Sequence, residues 1–241
     1  MTRANAALGV GYPVAIDNDY KIWRAFSNEG WPALYFIGAD GRIRHSVLGE
    51  GEYDQSEQLI QRLLAEADAA PMAGDTASIS AKGAEAAADE ADERSGETYI
   101  GYGQGTNFTS PGGVHKDKPS LYRAAPSLAL NSWSLAGSWT IGSEFATLDD
   151  TPGKITYRFH ARDLHLVLVP PAQGRPVRFR VTLDGMPPGA DHGFDVDADG
   201  AGTVQDARLY QLVRQAGPVA DRTFEIEFLD PGVRAYVFTF G

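Results

Sequence analysis

The densest run of hard oxygen donors is Asp195-Val-Asp-Ala-Asp-Gly200, with Asp206 at the twelfth position counted from Asp195. Calcium takes several carboxylate oxygens from a tight turn, so Asp195, Asp197, Asp199 and Asp206 form a candidate Ca2+ site. The twelfth residue is Asp rather than the longer bidentate Glu, and an acidic hairpin turn accounts for the same residues. No other cofactor is expected. His45, His115, His160, His165 and His192 have no pair spaced i, i+4 on a helix and support no metal site, although His160 and His165 could meet across a hairpin. Cysteine is absent from all 241 residues, which removes disulfides, thiolate metal sites and dithiol chemistry together. No Ser-His-Asp arrangement or carboxylate pair takes their place.

Aromatic residues offer a second kind of site. A sugar ligand needs an exposed aromatic plane ringed by polar groups, and Tyr99, Tyr102, Phe108, Tyr122 and Trp133 are the suppliers around the glycine-rich Gly101 to Ser120 region. Trp133 also shares a strand face with Leu135, Trp139 and Ile141, which reads as core. Gly101-Tyr-Gly-Gln-Gly105 lacks the preceding strand and following helix of a phosphate cradle.

The elements that must carry these residues divide in two. Pro13 to Asp17 is a strand candidate, Asn18 or Asp19 can cap a helix with Ile22, Trp23 and Phe26 on one face, and Trp31 to Ile37 is a nearly continuous apolar strand. Ala39-Asp40-Gly41-Arg42 is a hairpin turn leading into Ile43 to Leu48. Asp54 and Glu57 have capping-box spacing ahead of Leu59, Ile60, Leu63 and Leu64, which predicts a helix to about Ala67. The order is β-α-β-β-α. From Ala69 to Gly96 the only large aliphatic residue is Ile79, too little apolar area to offset the entropy of ordering. After Thr98 apolar residues alternate with polar ones, as in Val177, Phe179, Val181 and Leu183, and Pro- and Gly-containing turns recur at regular spacing. Nine or ten such strands predict an antiparallel jelly-roll type sandwich. The expected layout is thus an α/β half-domain at 1–68, a flexible acidic linker at 69–97 and an all-β sandwich at 98–241.

The formal charge of -11 is concentrated in residues 66–97, which carry -7. Neither folded part has the basic excess that phosphate neutralisation requires, so nucleic acid is not an expected partner. No window is long and apolar enough for a membrane span, and Met1 to Asn18 carries no secretory signal pattern.

The phrases Tyr12-Pro-Val-Ala-Ile-Asp-Asn18, Ile22-Trp-Arg-Ala-Phe26 and Trp31-Pro-Ala-Leu-Tyr-Phe-Ile37, with Glu225-Ile-Glu-Phe-Leu229 and Val237-Phe-Thr-Phe-Gly241, resemble the C-terminal region of DipZ-type proteins. The β-α-β-β-α order resembles the second half of a thioredoxin-like domain. The resemblance implies an extracytoplasmic thiol-disulfide oxidoreductase whose partners are protein thiols and disulfides and a transmembrane electron donor. It implies that Pro32 is a cis-proline that docks an extended substrate, with Trp31 lining the same groove. Strand-opening proline and core tryptophan are the plainer readings of these two residues. The family's Cys-x-x-Cys has no counterpart here, so the expectation is a redox-inactive fragment, from a truncated gene model, an internal start or a deliberately shortened chain. The resemblance also implies that the central strand of the thioredoxin fold, which precedes the redox helix and lies between those matched by residues 13–17 and 33–37, has no counterpart here, which predicts open edges and an uncovered apolar face. The alternative reading is a sandwich that binds cell-envelope carbohydrate or a protein partner.

Overall fold

The computed structural model describes residues 5–6, 9–49, 51–67, 87–172 and 174–241. The chain divides into two compact units, Met1–Ile79 and Ser80–Gly241.

In the first unit a short helix α1 (Lys21–Ala25) precedes an antiparallel hairpin of β1 (Ala33–Ile37) and β2 (Ile43–Leu48), followed by helix α2 (Tyr53–Glu66). The hairpin closes where expected: Gly38 N–H donates to the Arg42 carbonyl at 2.9 Å, and Gly41 takes a left-handed φ of 74° that a side chain would resist. The expected first strand does not form. Residues 13–17 run outside any sheet, with Val14 and Ile16 exposed, because β1 pairs only with β2 and offers residues 13–17 no ladder. Asp17, rather than Asn18 or Asp19, caps α1: its two oxygens accept the Ile22 and Trp23 N–H groups at 2.9 and 2.8 Å. The Asp54 capping box is likewise absent. Glu52 is the N-cap of α2, in a left-handed conformation with no side-chain cap bond, which places Asp54 inside the first turn, where its charge complements the positive helix end. Phe36 and Val47 are the only buried hydrophobic side chains among the described residues of this unit.

The second unit is a curled ten-stranded antiparallel sheet, β3 (Thr98–Tyr99), β4 (Ser120–Tyr122), β5 (Trp133–Ile141), β6 (Ala146–Phe159), β7 (Asp163–Val169), β8 (Val177–Leu183), β9 (Ala201–Val204), β10 (Arg208–Arg214), β11 (Arg222–Phe228) and β12 (Arg234–Phe240). Spatial order is β10-β7-β12-β6-β11-β8-β9, with β3 added on β12 and β4-β5 on β6. β6 is long enough to pair β12 at Ala146 and Thr147 and β11 along its other end. The alternation read from sequence aligns across strands. Leu135, Ile155, Ile226 and Val181 stand in one register row, Trp133, Tyr157, Phe224 and Leu183 in the next, and all eight are buried. Trp139 and Ile141 join them, and Leu164, Leu166 and Leu168 of β7 extend the same core.

Residues 69–86 of the expected linker lie outside the described residues. Residues 87–97 do not behave as linker. Ser95 is buried, donating to Asn131 Oδ1 at 2.5 Å and accepting the His160 N–H at 2.8 Å. Arg94 N–H donates to the His160 carbonyl, Arg162 Nη2 donates to the Ala87 carbonyl at 2.6 Å, and Asp92 faces His160 Nε2 at 3.2 Å. Polar contacts, which a count of apolar residues does not register, hold this stretch to the sheet.

Candidate functional site

Trp31 and Pro32 sit at the entry to β1, joined by a cis peptide bond; the only other cis bond among the described residues is Thr151–Pro152. The segment before them is fixed by Asn28, whose Nδ2 donates to the Gly30 carbonyl at 2.9 Å and whose Oδ1 accepts the Tyr35 hydroxyl at 2.9 Å. The Pro32 carbonyl accepts the Gly49 N–H at 2.8 Å, extending the hairpin ladder up to the proline. Trp31 is 71% exposed, with its ring centroid 4.3 Å from Trp23 and 6.3 Å from Tyr20. Together they border a cleft of about 340 Å3 lined by Asp17, Trp23, Phe26, Trp31, Tyr35 and Ile37, among others. The Trp23 N–H, with help from the Ile22 and Lys21 amides, holds the Asp17 carboxyl below its ordinary pKa against the opposing effect of burial. An apolar, aromatic cleft with one ionised rim group, beside a strand edge that carries no partner among the described residues, can hold an extended segment. It contains no thiol, and the chain has none to give it.

The five aromatic residues proposed as a sugar platform are dispersed. Trp133 is 1% exposed, its Nε1 donates to the Thr106 carbonyl at 2.8 Å, and its ring centroid lies 4.6 Å from Phe108. Phe108 packs edge-on to Tyr122, which is buried and whose hydroxyl accepts the His115 N–H at 3.0 Å. These three rings pin the irregular 101–120 segment onto β5 and present no open plane. Tyr102 donates its hydroxyl to Asp117 at 2.8 Å, and Lys116 lies over its ring at 4.4 Å. Tyr99 alone lines a cavity, one of about 530 Å3 shared with Gln104, Ser143, Glu144, Val167, Tyr236 and Val237. None of those six was proposed from sequence as a ligand-binding residue, because what gathers them is an irregular strand pairing that leaves no periodic trace.

Of the candidate calcium residues, Asp195 and Asp197 engage other partners through their carboxylates. Arg208 grips Asp195 through Nη2 at 2.6 Å and Nη1 at 2.9 Å, and the Gln211 N–H donates to the same carboxylate. Asp197 Oδ1 accepts the Asp199 and Ala201 N–H groups at 3.0 and 2.8 Å, closing the turn. Asp206 lies in a second turn, where its own N–H donates to the Tyr210 hydroxyl. Among the described residues no three His, Asp or Glu side chains are arranged to hold a metal ion. The guanidinium of Arg208 supplies positive charge to Asp195, and the Asp197 bonds form the acidic turn that was the other reading of these residues. His160 and His165 do not meet either: His160 lies between Asp221 and Asp92, whereas His165 is in register with Gln211 and Thr239.

Comparison with known proteins bears on the same residues. The family described as the thioredoxin-like C-terminal domain matches residues 95–241, a start that falls within the docked 87–97 stretch. The proteins named Protein DipZ from Mycobacterium bovis and from Mycobacterium tuberculosis are each 32% identical to this chain over 192 residues. Those matches cover 78% of this chain but 26% of each relative, so the chain spans about a quarter of the length of the curated relatives it matches. With most of its sheet inside the family match and a DipZ likeness running over most of its length, the chain belongs to the thioredoxin-like C-terminal domain family as a DipZ-type C-terminal region.

Proposed function

We propose that this chain is the substrate-docking and accessory part of an extracytoplasmic thioredoxin-like thiol-disulfide oxidoreductase, and that the redox cysteines belong to another segment of a longer parent. The observation that carries this reading is the cleft lined by Trp31, next to the cis Trp31–Pro32 bond and a β1 edge with no strand partner among the described residues, in a chain that has no cysteine. Disulfide exchange requires an attacking thiolate, so what this chain contributes is orientation. An extended substrate would pair its backbone with β1 and lay a side chain against the exposed face of Trp31. Protein thiols and disulfides, and a transmembrane electron donor in the parent, are the partners that follow. Among the described residues no helix is long and apolar enough to cross a membrane. On this reading residues 1–68 are the docking half of a thioredoxin-like domain, and the jelly-roll type domain begins near residue 87 rather than 98.

The test is reduction of a protein disulfide such as insulin. The 241-residue chain alone should be inactive, and joining it behind the Cys-x-x-Cys segment of a DipZ protein should create activity. Trp31→Ala in the joined protein should raise KM about tenfold, the equivalent of 1.4 kcal/mol of binding, with kcat little changed. Activity from the chain alone, or a joined protein that folds by circular dichroism but reduces nothing, would refute the reading.

A further inference from the structure

The cavity beside Tyr99 is built by a defect in pairing. On β12, Ala235 faces Leu168 and Phe238 faces Leu166 of β7, so Tyr236 and Val237 stand together opposite the single residue Val167. An unbroken strand would send these two consecutive residues to opposite faces; the bulge lets both line one cavity with Val167. The Tyr236 ring is backed by Phe145 at 4.9 Å, and Arg234 stands over Phe145 at 5.4 Å. The other wall comes from close backbone approach. Tyr102 and Gly103 donate their N–H groups to the Gly142 and Ser143 carbonyls at 3.0 and 2.9 Å, and a Cβ on Gly101 would stand 2.3 Å from the Glu144 carbonyl carbon. That contact fixes Gln104, Ser143 and Glu144 at the mouth. Tyr99 donates its hydroxyl to Glu97 at 3.0 Å, and burial followed by that bond raises its pKa, so the ring stays neutral with its π-face electron-rich.

The chemistry of this lining is uneven. Val167 and Val237 are half-buried and apolar, two tyrosines share the lining with them, Glu144 is its one charged residue, and no basic residue takes part. An anion would find no cation here, whereas a cation would find a carboxylate and two aromatic rings. We propose that the cavity binds an alkylammonium group, its methylene stem on Val167 and Val237 and its charge beside Glu144 and the tyrosine rings. The source is either a free aliphatic amine or a lysine side chain on a partner polypeptide. Both bring the same stem and head, since a lysine buries its methylenes while its ammonium seeks charge and π-density. This proposal does not depend on the thiol-disulfide reading, because the cavity and its test lie within residues 97–237.

The experiment is titration of the isotope-labelled 241-residue chain with n-butylammonium chloride, followed by amide chemical shifts of residues 99–104, 143–145 and 236–237. Saturable shifts confined to these residues are expected, with n-butanol and glucose producing none. Glu144→Gln, an exposed substitution, should weaken binding about tenfold, as loss of a charge partner predicts, and Tyr236→Phe should retain it while Tyr236→Leu should not. Comparison of n-butylammonium with an extended peptide containing one lysine assigns the source: tighter binding of the peptide points to a polypeptide partner, tighter binding of the amine to a free ligand. Equal shifts with butanol or glucose, unchanged affinity in Glu144→Gln, or no shift at these residues would overturn the proposal. Should Tyr236→Leu fail to fold, Glu144→Gln decides alone.

Discussion

Asp163 is almost fully buried and accepts hydrogen bonds from two guanidinium groups, Arg214 Nε and Nη2 at 2.7 Å each and Arg162 Nη2 at 2.7 Å. Burial alone would push its carboxyl up, but the bonds from Arg214 and Arg162 outweigh it and its pKa lies below the ordinary value. Asp191 behaves in the same way under Arg222 and the Ala216 N–H, and Arg178 lowers Asp230 to about 2. A carboxyl with a depressed folded pKa stabilises the fold above its unfolded value and loses that contribution as pH falls through the folded one. Thermal midpoints should therefore be flat on this account from pH 7 to pH 5 and drop below about pH 4, where unfolded carboxylates begin to protonate. Asp163→Asn should cost about 3 kcal/mol in urea unfolding at pH 7, the low end for a broken buried pair since both arginines keep some solvent, and should flatten the acid slope. At this scale the sequence left Asp195 to Asp206 open between a calcium loop and an acidic turn. Acidic residues in a turn look alike whether they face a metal or an arginine, and Arg208 approaches Asp195 only once β10 has folded beside it.

Among the elements, the stretch 87–97 shows how sequence reading falls short. Its composition is that of the acidic stretch before it, yet Ser95, Asn131 and His160 form a chain of hydrogen bonds that anchors it. Periodicity finds elements that bury apolar faces, so the alternating strands β6, β7, β8 and β11 were legible and this strap was not. Ser95→Ala removes the acceptor of the buried His160 N–H and should cost about 1–3 kcal/mol in thermal or urea unfolding. A chain of residues 98–241 should melt below one of residues 87–241; equal midpoints would show that the strap contributes nothing. The hairpin β1–β2 and helix α2 were also readable, from an apolar run, a Gly turn and 3.6-residue spacing. The strand expected at 13–17 does not form, because a strand is a property of two segments and this one has no partner among the described residues of the first unit. The β12 bulge, which makes the Tyr99 cavity, has the same cause: register depends on both strands at once.

Across the whole molecule apolar burial is divided unequally. The sheet unit encloses a continuous core from Ile100 to Phe238, whereas the first unit buries Phe36 and Val47 and leaves Trp31, Leu48, Ile43 and Tyr53 more than half exposed. Local opening should follow that division. Limited proteolysis should remove the first unit early and leave a resistant product beginning near residue 87, identified by mass; a product that begins within β1 would contradict the assignment. Two folding styles within one chain were visible in the change from helical spacing to alternation near Thr98, and the family match over 95–241 falls on that division. The strand order has a consequence for how the protein is made. β12 lies between β7 and β6 and carries β3 as well, although it follows the other nine strands of the sheet in sequence. Until residue 240 is synthesised, β7 and β6 face a gap in the middle of the sheet. The domain can close only after translation has passed that point, and a product stopped short of Arg234 would present two raw strand edges to chaperones and proteases.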